Sequence, residues 1–227
     1  MLLCIPDVLT HQELETCRAE LGASSWVDGK VTAGAQSAAA KHNLQIPETD
    51  PVARKLGDLV LRALGRNAEF NAAALPLRVF PPLFNRYDAD MRFDAHIDNA
   101  LRFVPGANIR MRTDVSSTLF LSDLADYDGG ELVIEEASGA RSIKLPAGHM
   151  VLYPATSLHR VAPITRGSRW ASFFWTQSLV KDNGQRTELY RLDRAITEVR
   201  ARLGDHDHTT LALTGTYHNL LRRWSEL

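Results

Sequence analysis

The feature that most constrains the fold of this 227-residue chain is a series of short apolar segments between residues 77 and 180. The segments are rich in Val, Ile, Phe and Thr, and turn residues separate them, which is typical of β-strands. There are as many segments as a jelly roll has strands, and they cover 77–87, 93–98, 115–121, 130–136, 141–145, 149–153, 158–163 and 169–178. We therefore predict a mainly β fold with a jelly-roll core.

Helical patterns precede this β region. Thr10 and Glu13 have the spacing of a capping box, and an apolar stripe with helical periodicity follows as far as Gly22. A second helical pattern covers 51–64, and the stretch at 32–40 between the two patterns is rich in Gly, Ala and Ser. We predict two N-terminal helices that pack on the β core and a loop that joins them.

The apolar residues return to helical spacing after residue 180. They recur at intervals of three and four, and a second helical stretch then continues to Trp224; the first stripe consists of Leu189, Leu192, Ile196, Val199 and Leu203. These helices could pack on the core or pair with a second subunit, so a homodimer through them is one expectation. The sequence thus predicts N-terminal helical support at 1–76, a jelly-roll core at 77–180 and a C-terminal helical extension at 181–227.

Composition excludes several classes of partner. The formal net charge of -1 leaves no basic surplus to neutralise phosphates, so we do not expect nucleic acid binding. No stretch of about 18 apolar residues occurs, so we expect no membrane partner. The two cysteines, Cys4 and Cys17, suit a reducing compartment, and Cys17 fits a buried helical stripe. We therefore expect a cytoplasmic protein that acts on a small-molecule or peptidyl substrate.

A candidate metal site begins with the triplet His96-Ile97-Asp98. In a strand, residues i and i+2 project from the same face, so His96 and Asp98 can reach one ion. Such a triplet is common by chance and needs a third ligand, for which His159 in another strand-like segment is the candidate. Two imidazoles and one carboxylate form the facial triad of non-haem iron(II) oxygenases, which leaves three coordination positions open.

A cationic residue, Arg169, follows His159 by ten positions. If 164–168 form a hairpin loop, Pro163 faces Arg169, and His159 lies on the same face about 13 Å away. An extended arginine covers about half of that gap, and the rest suits a five-carbon dicarboxylate that chelates a metal at one end. The spacing therefore favours a diacid cosubstrate.

The other histidines compete for the role of metal ligand. His206 and His208 fall in a polar connection between helices, where we expect a solvated loop. For the remaining four we expect structural or exposed positions; they are His11, His42, His149 and His218.

Taken in order, these motifs resemble those of one known family. The region from about 77 to 178 resembles the prolyl/lysyl hydroxylase branch of the 2-oxoglutarate oxygenases, and especially the bacterial PKHD-type hydroxylases. The motifs that carry the resemblance are Asn85-Arg86-Tyr87, His96-Ile97-Asp98, Ser117-Thr118-Leu119-Phe120-Leu121-Ser122, Asp128-Gly129-Gly130-Glu131-Leu132, His159 and Arg169-Trp170.

The resemblance implies a fold, cofactors and residue roles. The fold would be a double-stranded β-helix, and the cofactors would be iron(II), 2-oxoglutarate and L-ascorbate, with O2 as the oxidant. His96, Asp98 and His159 would ligate the iron, and Arg169 would bind the distal carboxylate of 2-oxoglutarate, a position at which animal collagen hydroxylases carry lysine. Tyr87 would help to hold the cosubstrate, although a packed strand aromatic is an open alternative.

The function implied is that of a dioxygenase. It would couple oxidative decarboxylation of 2-oxoglutarate to succinate and CO2 with C–H hydroxylation of an unidentified substrate, for which the family name suggests a prolyl or lysyl group. Two alternatives stay open: a cupin-like metal enzyme that does not use 2-oxoglutarate, and a non-catalytic iron or 2-oxoglutarate sensor.

Two further groups of residues have open interpretations at this point. The segment 99–113 carries three arginines and would form either a lid over the site or, in the favoured interpretation, a solvated basic loop. The aromatic residues of the last predicted strand are expected to pack in the core; they are Trp170, Phe173, Phe174 and Trp175.

Overall fold

The computed structural model describes residues 1–32, 40–104 and 106–226. Most of the predicted loop at 32–40 therefore lies outside the described residues. The helices are α1 (His11–Gly22), α2 (Pro51–Arg66), α3 (Ala68–Ala74), α4 (Asn183–Leu203) and α5 (His208–Trp224). The strands are β1 (Leu3–Ile5), β2 (Val27–Asp28), β3 (Lys41–His42), β4 (Leu44–Gln45), β5 (Pro76–Val79), β6 (Leu83–Tyr87), β7 (Arg92–His96), β8 (Leu101–Phe103), β9 (Arg110–Arg112), β10 (Val115–Phe120), β11 (Tyr127–Gly129), β12 (Leu132–Glu136), β13 (Gly139–Ile143), β14 (Met150–Pro154), β15 (His159–Val161), β16 (Ile164–Gly167) and β17 (Arg169–Ser178).

Two antiparallel sheets form the core. The larger sheet has the order β1-β14-β10-β17-β6-β4-β2, with β5 also paired to β17, and the smaller sheet has the order β13-β12-β15-β7-β3. Buried apolar residues from both sheets, among them Phe120 and Ile134, pack in one cluster between them. The predicted mainly β fold with a double-stranded β-helix (jelly-roll) core is confirmed.

The helices cover the outer side of the larger sheet. Helix α1 begins with the predicted capping box, and its buried residues join those of α2 and α3 in a cluster with β10, β14 and β17. The interpretation of Cys17 as a small buried residue is confirmed, because its side chain is fully buried, and burial raises its pKa to about 12. Helix α3 was not expected from the sequence, because its seven residues give too short a pattern.

The C-terminal helices pack on the core. Leu189 of α4 is buried against Leu75 and Val180, and residues of α5 close this cluster from outside. Of the two arrangements left open by the sequence, the described residues therefore show contact with the chain's own core. No helix of the described residues has both the length and the apolar character needed to cross a bilayer.

Two predicted segments differ from the observed strands. The segment 77–87 is divided between β5 and β6 at Phe80-Pro81-Pro82, because proline lacks the amide donor that a strand ladder needs. The predicted loop at 164–168 is largely a strand, β16, which pairs with β11.

The assumed hairpin between Pro163 and Arg169 is therefore wrong. Strand β15 lies in the smaller sheet, whereas β17 lies in the larger one, so the chain passes from one sheet to the other. Gly167 makes this passage possible, since it has φ +75 and a Cβ there would lie 1.9 Å from the carbonyl oxygen of Asp126.

Candidate active site

The structure brings the three predicted metal ligands together. His96 is the last residue of β7, Asp98 lies two residues beyond it, and His159 is the first residue of β15. His96 and His159 face each other directly in the antiparallel register of these strands. The ligand atoms of all three side chains lie within 4.8 Å of one another, and no other group of three such residues occurs among the described ones.

Backbone carbonyls fix the orientation of both imidazoles. His96 Nδ1 lies 2.8 Å from the Asp94 carbonyl oxygen, and His159 Nδ1 lies 3.0 Å from that of Ser157. Since a carbonyl oxygen can only accept, each Nδ1 donates, which leaves the Nε2 lone pairs for a metal. Burial, followed by the charge of His159, lowers the pKa of His96 to about 4, so its imidazole is neutral at pH 7.

The carboxylate of Asp98 is held from the opposite sheet. Ser116 Oγ, on β10, donates a hydrogen bond of 2.5 Å to Asp98 Oδ2. The same carboxylate oxygen lies 3.9 Å from His159 Nε2. Ser116 thus connects the larger sheet to the candidate metal site and orients the carboxylate of Asp98.

Arg169 is a fully buried cation in the same cavity. It opens β17 opposite Tyr87 of β6, and only 1% of its surface is exposed. Its guanidinium carbon lies 5.4 Å from the centroid of the Tyr87 ring and 5.1 Å from that of Phe120. Its Nε has no hydrogen-bond partner, and an unpaired buried donor on a cation costs free energy unless an anionic ligand binds it.

Tyr87 contributes its phenol to this end of the cavity. Burial raises its pKa to about 12, although the nearby charge of Arg169 opposes that shift. The phenol therefore stays protonated at neutral pH and can donate a hydrogen bond. The Tyr87 ring is packed in the core and also lines the cavity, so its role in holding the cosubstrate stays a prediction.

All five predicted site residues line one cavity between the two sheets, which we call the active-site cavity. Its other lining residues include Lys41, Leu83, Asn85, Phe93, Ile97, Asn99, Arg102, Ser116, Ser117, Thr118, Leu132, Tyr153, Val161, Phe173, Phe174 and Trp175. The aromatic residues of β17 thus have mixed roles: Phe174 and Trp175 are buried but also line the cavity, Phe173 lines it, and Trp170 packs on Trp26.

The segment 99–113 differs from the favoured expectation of a solvated basic loop. It contains a β8–β9 hairpin, and the Arg102 guanidinium carbon lies 4.1 Å from the centroid of the Trp175 ring, inside the cavity lining. Arg112 forms an ion pair of 2.7 Å with Asp114, and only Arg110 is well exposed. The sequence could not reveal the burial of Arg102, because three arginines in an apolar segment give the same pattern whether they are solvated or packed against the cavity.

The sequence also gave no indication of Ser116 or Lys41 as site residues. Ser116 acts through a contact between sheets, and no local pattern encodes such a contact. Of the competing histidines, His206 and His208 are exposed, as expected, and so are His11, His42 and His218, while His149 lies 3.4 Å from Asp7.

Comparison with known proteins agrees with this geometry. Residues 82–177 match the 2OG-Fe(II) oxygenase superfamily, and residues 183–226 match the PKHD-type hydroxylase C-terminal domain. PKHD-type hydroxylases from Methylobacterium nodulans and Cupriavidus metallidurans are 62% and 61% identical to this chain over the whole of both sequences. A prolyl hydroxylase from Trichoplax adhaerens, solved with a peptide fragment of hypoxia inducible factor, has a TM-score of 0.55 at 13% identity, over 83% of this chain and 86% of that one.

The fold and the family matches thus define an iron(II)- and 2-oxoglutarate-dependent dioxygenase. The chain belongs to the PKHD-type hydroxylases. It is an enzyme that uses iron(II) and 2-oxoglutarate to hydroxylate a substrate, and this favours the dioxygenase over the cupin-like and sensor alternatives.

Proposed function

We propose that His96, Asp98 and His159 hold the iron(II) ion of this dioxygenase and that Arg169 binds the distal carboxylate of 2-oxoglutarate. The observation that carries the assignment is the convergence of three ligand atoms within 4.8 Å in a cavity that also contains a buried guanidinium. When bound, iron and 2-oxoglutarate supply the oxidising chemistry that yields succinate, CO2 and a hydroxylated substrate.

The chain's own residues would bind and orient these groups. Arg169 offers a planar donor fork to one carboxylate, and the protonated phenol of Tyr87 adds a donor beside it. Gly130 makes room for this arginine, because a Cβ at that position would lie 3.1 Å from Arg169 Cδ. Apolar side chains of both sheets exclude water from this end of the cavity.

The direct test is an assay for succinate. Purified protein with Fe(II), 2-oxoglutarate, ascorbate and air is expected to form succinate, because ascorbate can supply the two electrons that the primary substrate would otherwise supply. Omission of iron or exclusion of O2 should each reduce the product to background. Succinate at background level in the complete mixture would contradict the proposal.

Ser116 provides a test of how the carboxylate ligand is oriented. We expect Ser116→Ala to weaken Fe(II) binding by about 10- to 100-fold, because loss of a hydrogen bond to a metal ligand has effects of this size. Equilibrium dialysis against Fe(II) under anaerobic conditions measures the affinity. Ser172→Ala is the matched control, since Ser172 is fully buried in β17, makes no side-chain hydrogen bond and does not line the cavity. Equal affinities of the two variants would contradict this role of Ser116.

Several finer assignments complete the proposal. We infer a small-molecule or peptidyl substrate, and ascorbate as the reductant that restores iron(II), both on the strength of family membership.

A cytoplasmic location is consistent with two free cysteines. The exposed residues Leu203 and Leu211 on α4 and α5 support a homodimer through the C-terminal helices. The division at 1–76, 77–180 and 181–227 is supported by the two family matches.

A further inference from the structure

Two cations besides Arg169 line the active-site cavity, Lys41 of β3 and Arg102 of β8. Lys41 is 4% exposed, and its Nζ donates a hydrogen bond of 2.8 Å to Gln45 Oε1. Arg102 is half-buried, and its Nε is buried without a hydrogen-bond partner. Burial of a positive charge costs free energy, so two such groups in one cavity need a physical explanation.

These cations lie away from the end of the cavity that holds Arg169. Arg169, Phe173 and Trp175 project from the same face of β17 and all line the cavity. Lys41 Nζ lies 5.6 Å from the centroid of the Phe173 ring, and the Arg102 guanidinium carbon lies 4.1 Å from that of Trp175. Along β17, Phe173 lies four residues from Arg169, or about 13 Å, and Trp175 lies six residues from it, or about 20 Å. The cavity therefore has a second cationic region.

The second cationic region lies beside the candidate metal site. Ser116, which donates to Asp98, is the register partner of Trp175, the residue on which Arg102 stacks. Burial lowers the pKa of Arg102, and the carboxylates of Glu48 and Asp98 oppose that shift, so Arg102 is within electrostatic reach of the proposed metal ligands. A group bound here would be close to the reacting centre, and it would not compete with 2-oxoglutarate for Arg169.

The two positive charges repel each other. Burial, followed by the like charge of Arg102, lowers the pKa of Lys41 to about 8, and Glu48 and Asp28 oppose this only in part. An anion bound beside both cations would relieve this repulsion and would supply an acceptor for Arg102 Nε.

We propose that Lys41 and Arg102 form an anion subsite that binds a carboxylate of the primary substrate and thereby holds a neighbouring C–H bond at the metal centre. This inference rests on the proposed function of the cavity. The carboxylate belongs either to a small acid, such as an acylated amino acid, or to an acidic side chain of a peptide.

Matched pairs of probes that differ only in charge test this subsite. Protein loaded with Ni(II) and saturated with 2-oxoglutarate is titrated calorimetrically with N-acetylphenylalanine and its amide, and with N-acetyl-Asp-Phe-amide and N-acetyl-Asn-Phe-amide. In at least one pair, the carboxylate is expected to bind about tenfold more tightly than its neutral partner. The first pair represents a free acid and the second an acidic peptide, so the pair that shows the preference identifies the source of the carboxylate.

Substitutions assign the preference to the two cations. Arg102→Met and Lys41→Met are each expected to reduce the carboxylate preference to about one, and Arg102→Met is sufficient if Lys41→Met does not fold. Arg110→Met is the matched control, because Arg110 lies on the same hairpin but outside the cavity lining. It removes the same charge and should keep the preference.

The outcomes that contradict the subsite differ from those that contradict the proposed function. No preference in either pair, no binding of any carboxylate, or a preference that survives Arg102→Met would each overturn the subsite. If Arg110→Met abolishes the preference as fully as Arg102→Met does, the preference is a general effect of charge, and the subsite is overturned too. Binding of 2-oxoglutarate is measured first on the same protein. If 2-oxoglutarate does not bind, the result contradicts the proposed function of the cavity and not the subsite alone.

Discussion

Replacement of His159 by alanine is expected to abolish Fe(II) binding at the site and, with it, the formation of succinate. His159 is 5% exposed and lies directly opposite His96 in the sheet, so no other described histidine can take its place. Two remaining protein ligands hold divalent iron poorly, and we expect both affinity and turnover to fall by at least about 100-fold. Anaerobic dialysis measures the first quantity, and succinate quantified at saturating 2-oxoglutarate measures the second.

The control for this variant is another histidine. His149→Ala removes an imidazole that lies near Asp7 and does not line the active-site cavity, so it should keep both properties. Circular dichroism of each variant establishes whether it is folded. A folded His159→Ala protein that binds Fe(II) like the wild type would remove His159 from the proposed ligand set.

Charge reversal at Arg169 is expected to have the second large effect. Arg169→Glu would place a carboxylate where we propose that the distal carboxylate of 2-oxoglutarate binds, and we expect the KM for 2-oxoglutarate to rise by at least about 100-fold. Fe(II) affinity should change little, because none of the proposed ligands lies on β17. Succinate formation as a function of 2-oxoglutarate concentration measures the effect.

Two further variants make this result interpretable. Arg169→Lys keeps the charge but loses the planar fork, so we expect a smaller increase in KM, of about tenfold. This variant still tests the role of Arg169 if the buried glutamate of Arg169→Glu prevents folding. Arg160→Met is the control, since Arg160 is an exposed arginine next to His159 on β15. An unchanged KM in both Arg169 variants would mean that this guanidinium does not bind the cosubstrate.

The parts of the fold that the sequence predicted are those with a local cause. Strand periodicity, turn glycines and the Thr10–Glu13 capping box act over a few residues, so the β region and α1 were correctly located. The sequence argument for His96 and Asp98 relied on the alternation of side chains along a strand, but β7 ends at His96, so Asp98 reaches the site from the residues that follow the strand.

The parts that the sequence did not predict depend on contacts between distant segments. Strand β15 was paired with β17 because the two are neighbours in sequence, yet its partners are β12 and β7. The hydrogen bond from Ser116 to Asp98 and the burial of Arg102 against Trp175 likewise join segments whose pairing is set by the whole jelly roll. The charge of Arg169 and its resemblance to a family motif nevertheless led to a residue that lines the cavity, although the predicted hairpin that would bring it there was wrong.

In the proposed arrangement, the division of the site between two sheets determines how long a cosubstrate the enzyme can accept. His96 and His159 belong to the smaller sheet and Arg169 to the larger, so the gap between them depends on the thickness of the apolar layer that separates the sheets. A 2-oxo diacid that is one methylene shorter or longer than 2-oxoglutarate would have to stretch or buckle to reach both ends. Enlarging or trimming a residue of that layer, such as Phe120 or Ile134, would therefore alter the choice between diacids without any change to a liganding side chain.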